Sequence, residues 1–140
     1  MSDRYFLDTN IFVYSFDPVE PGKALKAETL VTRGVTSGLG VISYQVVQEF
    51  LNVSLRQFKA AMTVAELELY FLRILLPMMR ISSSSELFLE ALRLQASNRL
   101  SWYDSLIVAA AIQGRCKVLY SEDLQHGRRF GDLVVEDPFR

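Results

Sequence analysis

The chain has 140 residues, of which half are hydrophobic and 22% are charged, and its formal net charge is −1 at neutral pH. This is the length and composition of one ordinary folded domain, 1–140, and it argues against a disordered chain. No apolar run reaches the roughly 18 residues that cross a bilayer, and the near-neutral charge shows no basic excess of the kind typical of nucleic-acid binding. The N-terminus has neither the apolar core nor the cleavage site of a signal peptide, so we expect a cytoplasmic protein without a membrane partner. A lone cysteine, Cys116, excludes an internal disulfide.

Short apolar strands and amphipathic helices alternate along the sequence. The predicted strands are 5–7, 39–42, 78–81, 117–120 and, at the edge of the sheet, 133–135. The predicted helices start at residue 11, cover 23–33, run from 43 through 58, extend from 63 to a stop at 77, cover 87–96, and run from 101 to 114. We therefore predict an α/β fold in three α/β/α layers, with a central, mainly parallel sheet of four to five strands.

Helix starts carry recognisable capping signals. Thr63-x-x-Glu66 and Ser83-x-x-Glu86 both have the form of a capping box, in which two side chains and two backbone groups bond reciprocally. Ser101-x-x-Asp104 has the same form. Asp104 therefore has a purely structural interpretation as well as a chemical one.

Acidic residues stand where a parallel sheet would present them at one edge. Asp8 follows the first strand, Glu122 and Asp123 follow the fourth, and Glu49 and Asp104 lie near helix starts at the same edge. Ligands of open α/β sheets bind beyond the carboxyl ends of the strands. Carboxylates gathered without a cation repel one another by about 4 kcal/mol per pair near 4 Å, so a fold that gathers them is typically built to hold a divalent metal. The pattern indicates metal-dependent phosphodiester cleavage.

Each acid also has a simpler interpretation when it is taken alone. Asp8 has the position of a helix N-cap, and Glu49 can lie on a solvated helix face. Glu122 and Asp123 are adjacent, so strand alternation sends them to different sides and either one can be the fourth acid. The set is a stronger signal than any of its members, because all of them are expected at one sheet edge.

The order of these motifs resembles that of the PIN-domain nucleases, and in length and layout the VapC-type toxins of prokaryotic toxin–antitoxin pairs. The matching segments are Asp8-Thr9-Asn10, Glu49, Asp104 and Ser121-x-Asp123. The resemblance implies Mg²⁺- or Mn²⁺-dependent ribonuclease activity, with metal held by Asp8 and Asp104 and completed by Glu49 and Asp123. It further implies that Thr9, Asn10 and Ser121 orient the acids, with Glu122 as a substitute for Asp123.

Substrate and partner contacts are also predicted. An RNA substrate would need local cations, and those nearest the motifs in sequence are Arg56, Lys59, Arg99, Arg128 and Arg129. His126 is the only histidine, and a surface-loop role is the simpler interpretation. The helices 23–33 and 63–76 are apolar around much of their circumference, which indicates deep core or a partner surface. With the resemblance added, we expect a homodimer and a groove for an antitoxin. The alternative is a non-catalytic module of the same fold that binds RNA or protein.

Overall fold

The structure is a computed structural model that describes residues 3–17, 19–57 and 62–140. Within these residues one sheet of six strands has the order β3-β2-β1-β4-β6-β5. The strands are β1 (Tyr5–Leu7), β2 (Gly40–Ser43), β3 (Met79–Ile81), β4 (Val118–Tyr120), β5 (Arg129–Phe130) and β6 (Leu133–Glu136). Neighbouring strands pair in parallel except β5 and β6, which form an antiparallel hairpin.

Helices cover the sheet on both sides, as the predicted three-layer α/β fold requires. They are α1 (Thr9–Tyr14), α2 (Pro21–Ser37), α3 (Tyr44–Gln57), α4 (Val64–Tyr70), a π-helical turn (Phe71–Leu75), α5 (Leu76–Met78), α6 (Ser85–Asn98) and α7 (Trp102–Gln113). Helix α7 is buried along seven consecutive residues because it is apolar on every side, which is the pattern of a core helix. It packs on α6, β2 and β4 and so supports the middle of the sheet.

Three sequence predictions about the sheet and its helices were wrong in detail. The sheet has six strands rather than four to five, because the two-residue β5 is too short to leave a periodic signal. The strand predicted at the edge, 133–135, is internal, since β6 lies between β4 and β5. Ser84 rather than Ser83 caps α6, accepting a hydrogen bond from the Leu87 N–H at 3.1 Å.

Two further boundaries moved. Ser43 was expected to cap the third helix, and it does directly precede the first helical residue, Tyr44, but its buried hydroxyl has no hydrogen-bond partner among the described residues and so does not cap. Its predicted end at Phe58 lies outside the described residues. Pro77 does not end the helical segment, which continues to Met78. Instead the preceding turn widens into a π-helix, because the proline has no N–H and its ring clashes with the carbonyl four residues earlier.

None of the helices in the described ranges is both long and apolar enough to cross a membrane.

Candidate functional site

A cleft of about 300 Å³ opens where β1 and β4 end and α3 and α7 begin. Four of the residues that line it are carboxylates from separate elements. The lining residues are Asp8, Thr9, Asn10, Gln45, Glu49, Asn52, Val53, Tyr103, Asp104, Ile107 and Asp123. The sheet therefore brings together side chains that are distant in sequence, and the hydrogen bond between Ser121 and Asp8 joins residues 113 positions apart.

Asp8 lies at the floor of this cleft, and only 6% of it is exposed. One of its carboxylate oxygens, Oδ1, accepts from the Thr9 N–H at 2.7 Å, so Asp8 is the N-cap of α1. The other, Oδ2, accepts from the Ser121 hydroxyl at 2.8 Å. Burial raises the pKa of Asp8 to about 7, against the lowering effect of these two bonds. Capping and a place in the cleft are therefore combined in one side chain.

Glu49 is held toward the cleft by a neighbour of Asp8. The Thr9 hydroxyl donates to Glu49 Oε1 at 2.6 Å, across two different elements. Glu49 is partly buried on α3, so it does not lie on the freely solvated helix face that was its simpler interpretation. Through Thr9 the positions of Asp8 and Glu49 are coupled.

Asp123 and Glu122 point in different directions, as strand alternation suggested. Asp123 lines the cleft and accepts from the Asn10 amide at 3.0 Å. Its pKa is raised by loss of hydration and by the negative charges of Asp104, Glu122 and Glu49. Glu122 instead accepts a hydrogen bond from the Tyr14 hydroxyl and forms an ion pair with Lys23 at 3.2 Å.

Asp104 lies in the first turn of α7, with its side chain on the cleft. The Ser101 hydroxyl accepts from the Asp104 N–H at 3.1 Å, which is half of a capping box. Within the described chain the reciprocal bond is formed only at Thr63, where Glu66 returns it at 2.9 Å. The structural interpretation of the Asp104 carboxylate is therefore not supported.

Sequence reasoning missed two polar side chains of the cleft, Gln45 and Asn52. They lie four residues before and three residues after Glu49, hence on the same face of α3, and this spacing was the available signal. Gln45 is buried, and its amide donates to the Tyr103 carbonyl at 3.3 Å. That bond ties α3 to α7 beside the acids.

The predicted substrate cations do not line the cleft in the described part of the chain. Lys59 lies outside the described residues, while Arg56 and Arg99 are exposed at the ends of α3 and α6. Arg128 donates to the Asn98 carbonyl at 2.7 Å, and Arg129 lines a different cavity.

His126 has a structural contact instead of a place in the cleft. Its ring Nδ1 accepts from the Asp137 N–H at 3.1 Å. The histidine thereby fastens the segment that follows β6 to the loop after β4.

Hard carboxylate oxygens are the donors that Mg²⁺ and Mn²⁺ prefer, so the residues fit such an ion chemically. Among the described residues, however, no three Asp, Glu, His or Cys side chains lie close enough together to hold one ion directly. A Mg²⁺ site needs only one or two carboxylates and keeps several waters. The cleft fits that kind of site better than a closed cage of protein ligands.

The mainly parallel sheet, with acids beyond the carboxyl ends of its strands, is that of an open α/β protein. The family model of the PIN domain matches residues 5–129, and the chain belongs to this family.

Solved structures share the fold at low sequence identity. A toxin–antitoxin complex from Klebsiella pneumoniae aligns with a TM-score of 0.65 at 16% identity, over 93% of this chain and 95% of the other. VapBC2 from Rickettsia felis, bound to a DNA fragment from its promoter, gives 0.63 at 20% identity, over 94% and 96%. FitAcB from Neisseria gonorrhoeae gives 0.61 at 16%, over 96% and 98%. No curated protein matches the chain.

Proposed function

We propose that this protein is a Mg²⁺- or Mn²⁺-dependent endoribonuclease that hydrolyses phosphodiester bonds. The observation that carries the proposal is the cleft with its four carboxylates and, among described residues, no lysine or arginine. Burial and the neighbouring negative charges raise the pKa values of Asp8 and Asp123, and a bound cation would relieve this unfavourable environment. Without a cation these carboxylates repel one another.

Asp8 and Asp104 are the proposed metal-holding residues, and Glu49 and Asp123 would complete the site through the water ligands of the ion. A bound divalent ion supplies an activated water and charge neutralisation at the phosphate. The neighbouring polar residues fix the acids in place. Ser121 holds Asp8, Thr9 holds Glu49, and Asn10 holds Asp123, each through one hydrogen bond.

The direct test is cleavage of a labelled single-stranded RNA by purified protein, first in EDTA and then with Mg²⁺ or Mn²⁺ restored. We expect cleavage only with metal, and its loss in Asp104→Asn. Glu86→Gln is the matched control, because Glu86 is an exposed acid in the first turn of α6 outside the cleft. RNA binding without cleavage in either metal would instead identify a non-catalytic module of the same fold.

We further propose that the chain is the toxin of a prokaryotic toxin–antitoxin pair, acting in the cytoplasm as a homodimer. This is supported by the structural neighbour from Klebsiella pneumoniae, which is a toxin–antitoxin complex. An antitoxin partner is also supported by an apolar groove between α3 and the α4 segment, in which large side chains are exposed. The groove residues are Leu51, Leu55, Val64, Leu67, Glu68, Phe71 and Leu72.

The toxin assignment is tested separately from the chemistry. Induction of the wild-type chain in a bacterial host should arrest growth, and Asp104→Asn should not. Light scattering across a range of concentrations should give the mass of a dimer. A strict monomer would remove the homodimer, and growth without arrest despite active enzyme would remove the toxin role.

A further inference from the structure

A second groove, of about 830 Å³, lies between α6, the C-terminal end of α7 and the β5–β6 hairpin. It is separate from the acidic cleft, because Asp104 is in the first turn of α7 whereas Ile112 of the groove is in the last. At 1.5 Å per residue these positions are about 12 Å apart along the helix axis.

The groove gathers three cations from two segments of the chain, Arg115 and Lys117 between α7 and β4, and Arg129 on β5. Lys117 forms an ion pair with Asp132 at 3.8 Å, but both side chains are largely exposed. The pair is therefore weak, and another anion can replace Asp132 as the partner of Lys117. Neither Arg115 nor Arg129 has a side-chain hydrogen bond or ion pair with any residue that the structure describes. Two guanidinium groups thus remain free to bind an anion.

Arg115 occupies this place despite an unfavourable backbone. Its φ is 57°, in the left-handed region that glycine adopts freely and that other residues avoid. A glycine is the usual residue just beyond a helix end, and here an arginine stands in its place. Replacing Arg115 by glycine would therefore remove the guanidinium group without straining the backbone.

The other lining residues of the groove are mainly apolar, but the Asn98 amide and the carboxylates of Glu90 and Asp132 are among them. Its apolar residues are Leu94, Ile112, Cys116, Phe130 and Leu133. Burial raises the pKa of the Cys116 thiol to about 12, so the thiol adds no negative charge at neutral pH. The carboxylate of Glu90, which also lines the groove, forms an ion pair with the Arg93 guanidinium at 3.8 Å. An apolar wall beside free guanidinium groups suits a ligand that has a flat ring system and an anionic group.

We propose that this groove is a nucleotide-binding site, with the base against the apolar wall and the phosphate held by Arg115 and Arg129. Arginine forks match phosphate oxygens in a bidentate manner, and the groove has the volume of an ordinary small-ligand site. The site is remote from the acidic cleft and does not depend on the proposed nuclease activity.

The test is calorimetric titration of the full chain with AMP and with adenosine, in buffer that contains EDTA so that the acidic cleft holds no metal. We expect saturable one-site binding of AMP and at least about tenfold weaker binding of adenosine, because only AMP carries the phosphate. No saturable AMP binding at millimolar concentration, or equal binding of the two ligands, would overturn the proposal.

The variants Arg115→Gly and Arg129→Gln should each weaken AMP binding about tenfold or more. Arg73→Gln is the matched control, since Arg73 is an exposed arginine of the π-helical turn outside the groove, and this variant should bind AMP as the wild type does. Arg115→Gly keeps the fold, because glycine adopts the left-handed conformation freely, and its melting temperature should equal or exceed that of the wild type. Unchanged AMP affinity in both groove variants would refute the site.

Discussion

Asp8 shows how one residue serves the fold and the cleft at the same time. Its carboxylate caps α1 through the Thr9 N–H, yet burial raises its pKa to about 7. The unfolded chain releases this proton near pH 4, so the folded state binds the proton more tightly. Ionised Asp8 therefore destabilises the folded protein above pH 7, and this cost disappears as the pH falls toward 4.

The corresponding prediction is a pH profile in metal-free buffer. The free energy of unfolding should fall as the pH rises from about 4 to 7, by at most about 4 kcal/mol, since each unit of pKa shift is worth about 1.4 kcal/mol. Urea denaturation in EDTA at several pH values measures it. The variant Asp8→Asn should flatten the profile and be more stable than the wild type at pH 8, because it has no buried charge. The Ser121 hydroxyl can accept a hydrogen bond from the new amide. A profile that rises over this interval would contradict the burial of a charged Asp8.

Glu122 and Asp123 form a natural pair of variants, since they are adjacent but have different partners. Asp123→Asn should lower the rate of RNA cleavage about tenfold or more relative to Glu122→Gln, because Asp123 alone of the two lines the cleft. Single-turnover cleavage with saturating Mn²⁺ compares them. A larger loss in Glu122→Gln would reverse the assignment of the fourth acid.

For the helices and strands, the predictions from the sequence were most accurate where one strong local pattern fixes the bounds of the element. The strands that became β1 and β4 were predicted within one residue, because their apolar runs end at polar turns. The failures have local causes. The four-serine run offered several equivalent caps, and β5 exists only because it pairs with β6.

The acidic cleft was likewise predictable only where the local sequence fixes the position of a residue. The edge position of Asp8 and Asp123 could be derived from the strands they follow. Strand alternation predicted that Glu122 and Asp123 point to different sides, but which of them faces the cleft depends on partners such as Asn10 and Lys23, which come from other elements. Gln45 was missed for the same reason, since its contact is a backbone carbonyl of α7.

The packing of α2 on β2 depends on two glycines that touch. A Cβ at Gly40 would lie 2.7 Å from both the Gly34 Cα and the Met78 sulphur, so Gly40→Ala should destabilise the protein by about 1–3 kcal/mol. Gly22→Ala is the matched control, as nothing lies within 4 Å of its added Cβ and alanine favours helix. It should be neutral or stabilising by up to about 1 kcal/mol. Equal effects of the two substitutions in urea denaturation would show that the close approach does not matter.

For the whole molecule, the proposed metal site predicts that stability depends on divalent cations. Mg²⁺ or Mn²⁺ should raise the melting temperature at pH 8, because binding to the folded state alone shifts the unfolding equilibrium. The increase should be smaller at pH 5, where the buried Asp8 is protonated and protons compete with metal. Differential scanning fluorimetry with and without metal measures both, and Asp104→Asn should reduce the shift. Equal shifts at the two pH values would indicate binding elsewhere.

The pairing of β1 with β4 also has a consequence for biosynthesis. Strand β1 is synthesised 113 residues before its partner β4, since Tyr5 pairs with Val118, and the loop that carries Asp123 follows β4. Contacts so distant in sequence form late. A nascent polypeptide thus holds the early acids without the last one, and the complete cleft arises only after the Asp123 loop has been synthesised.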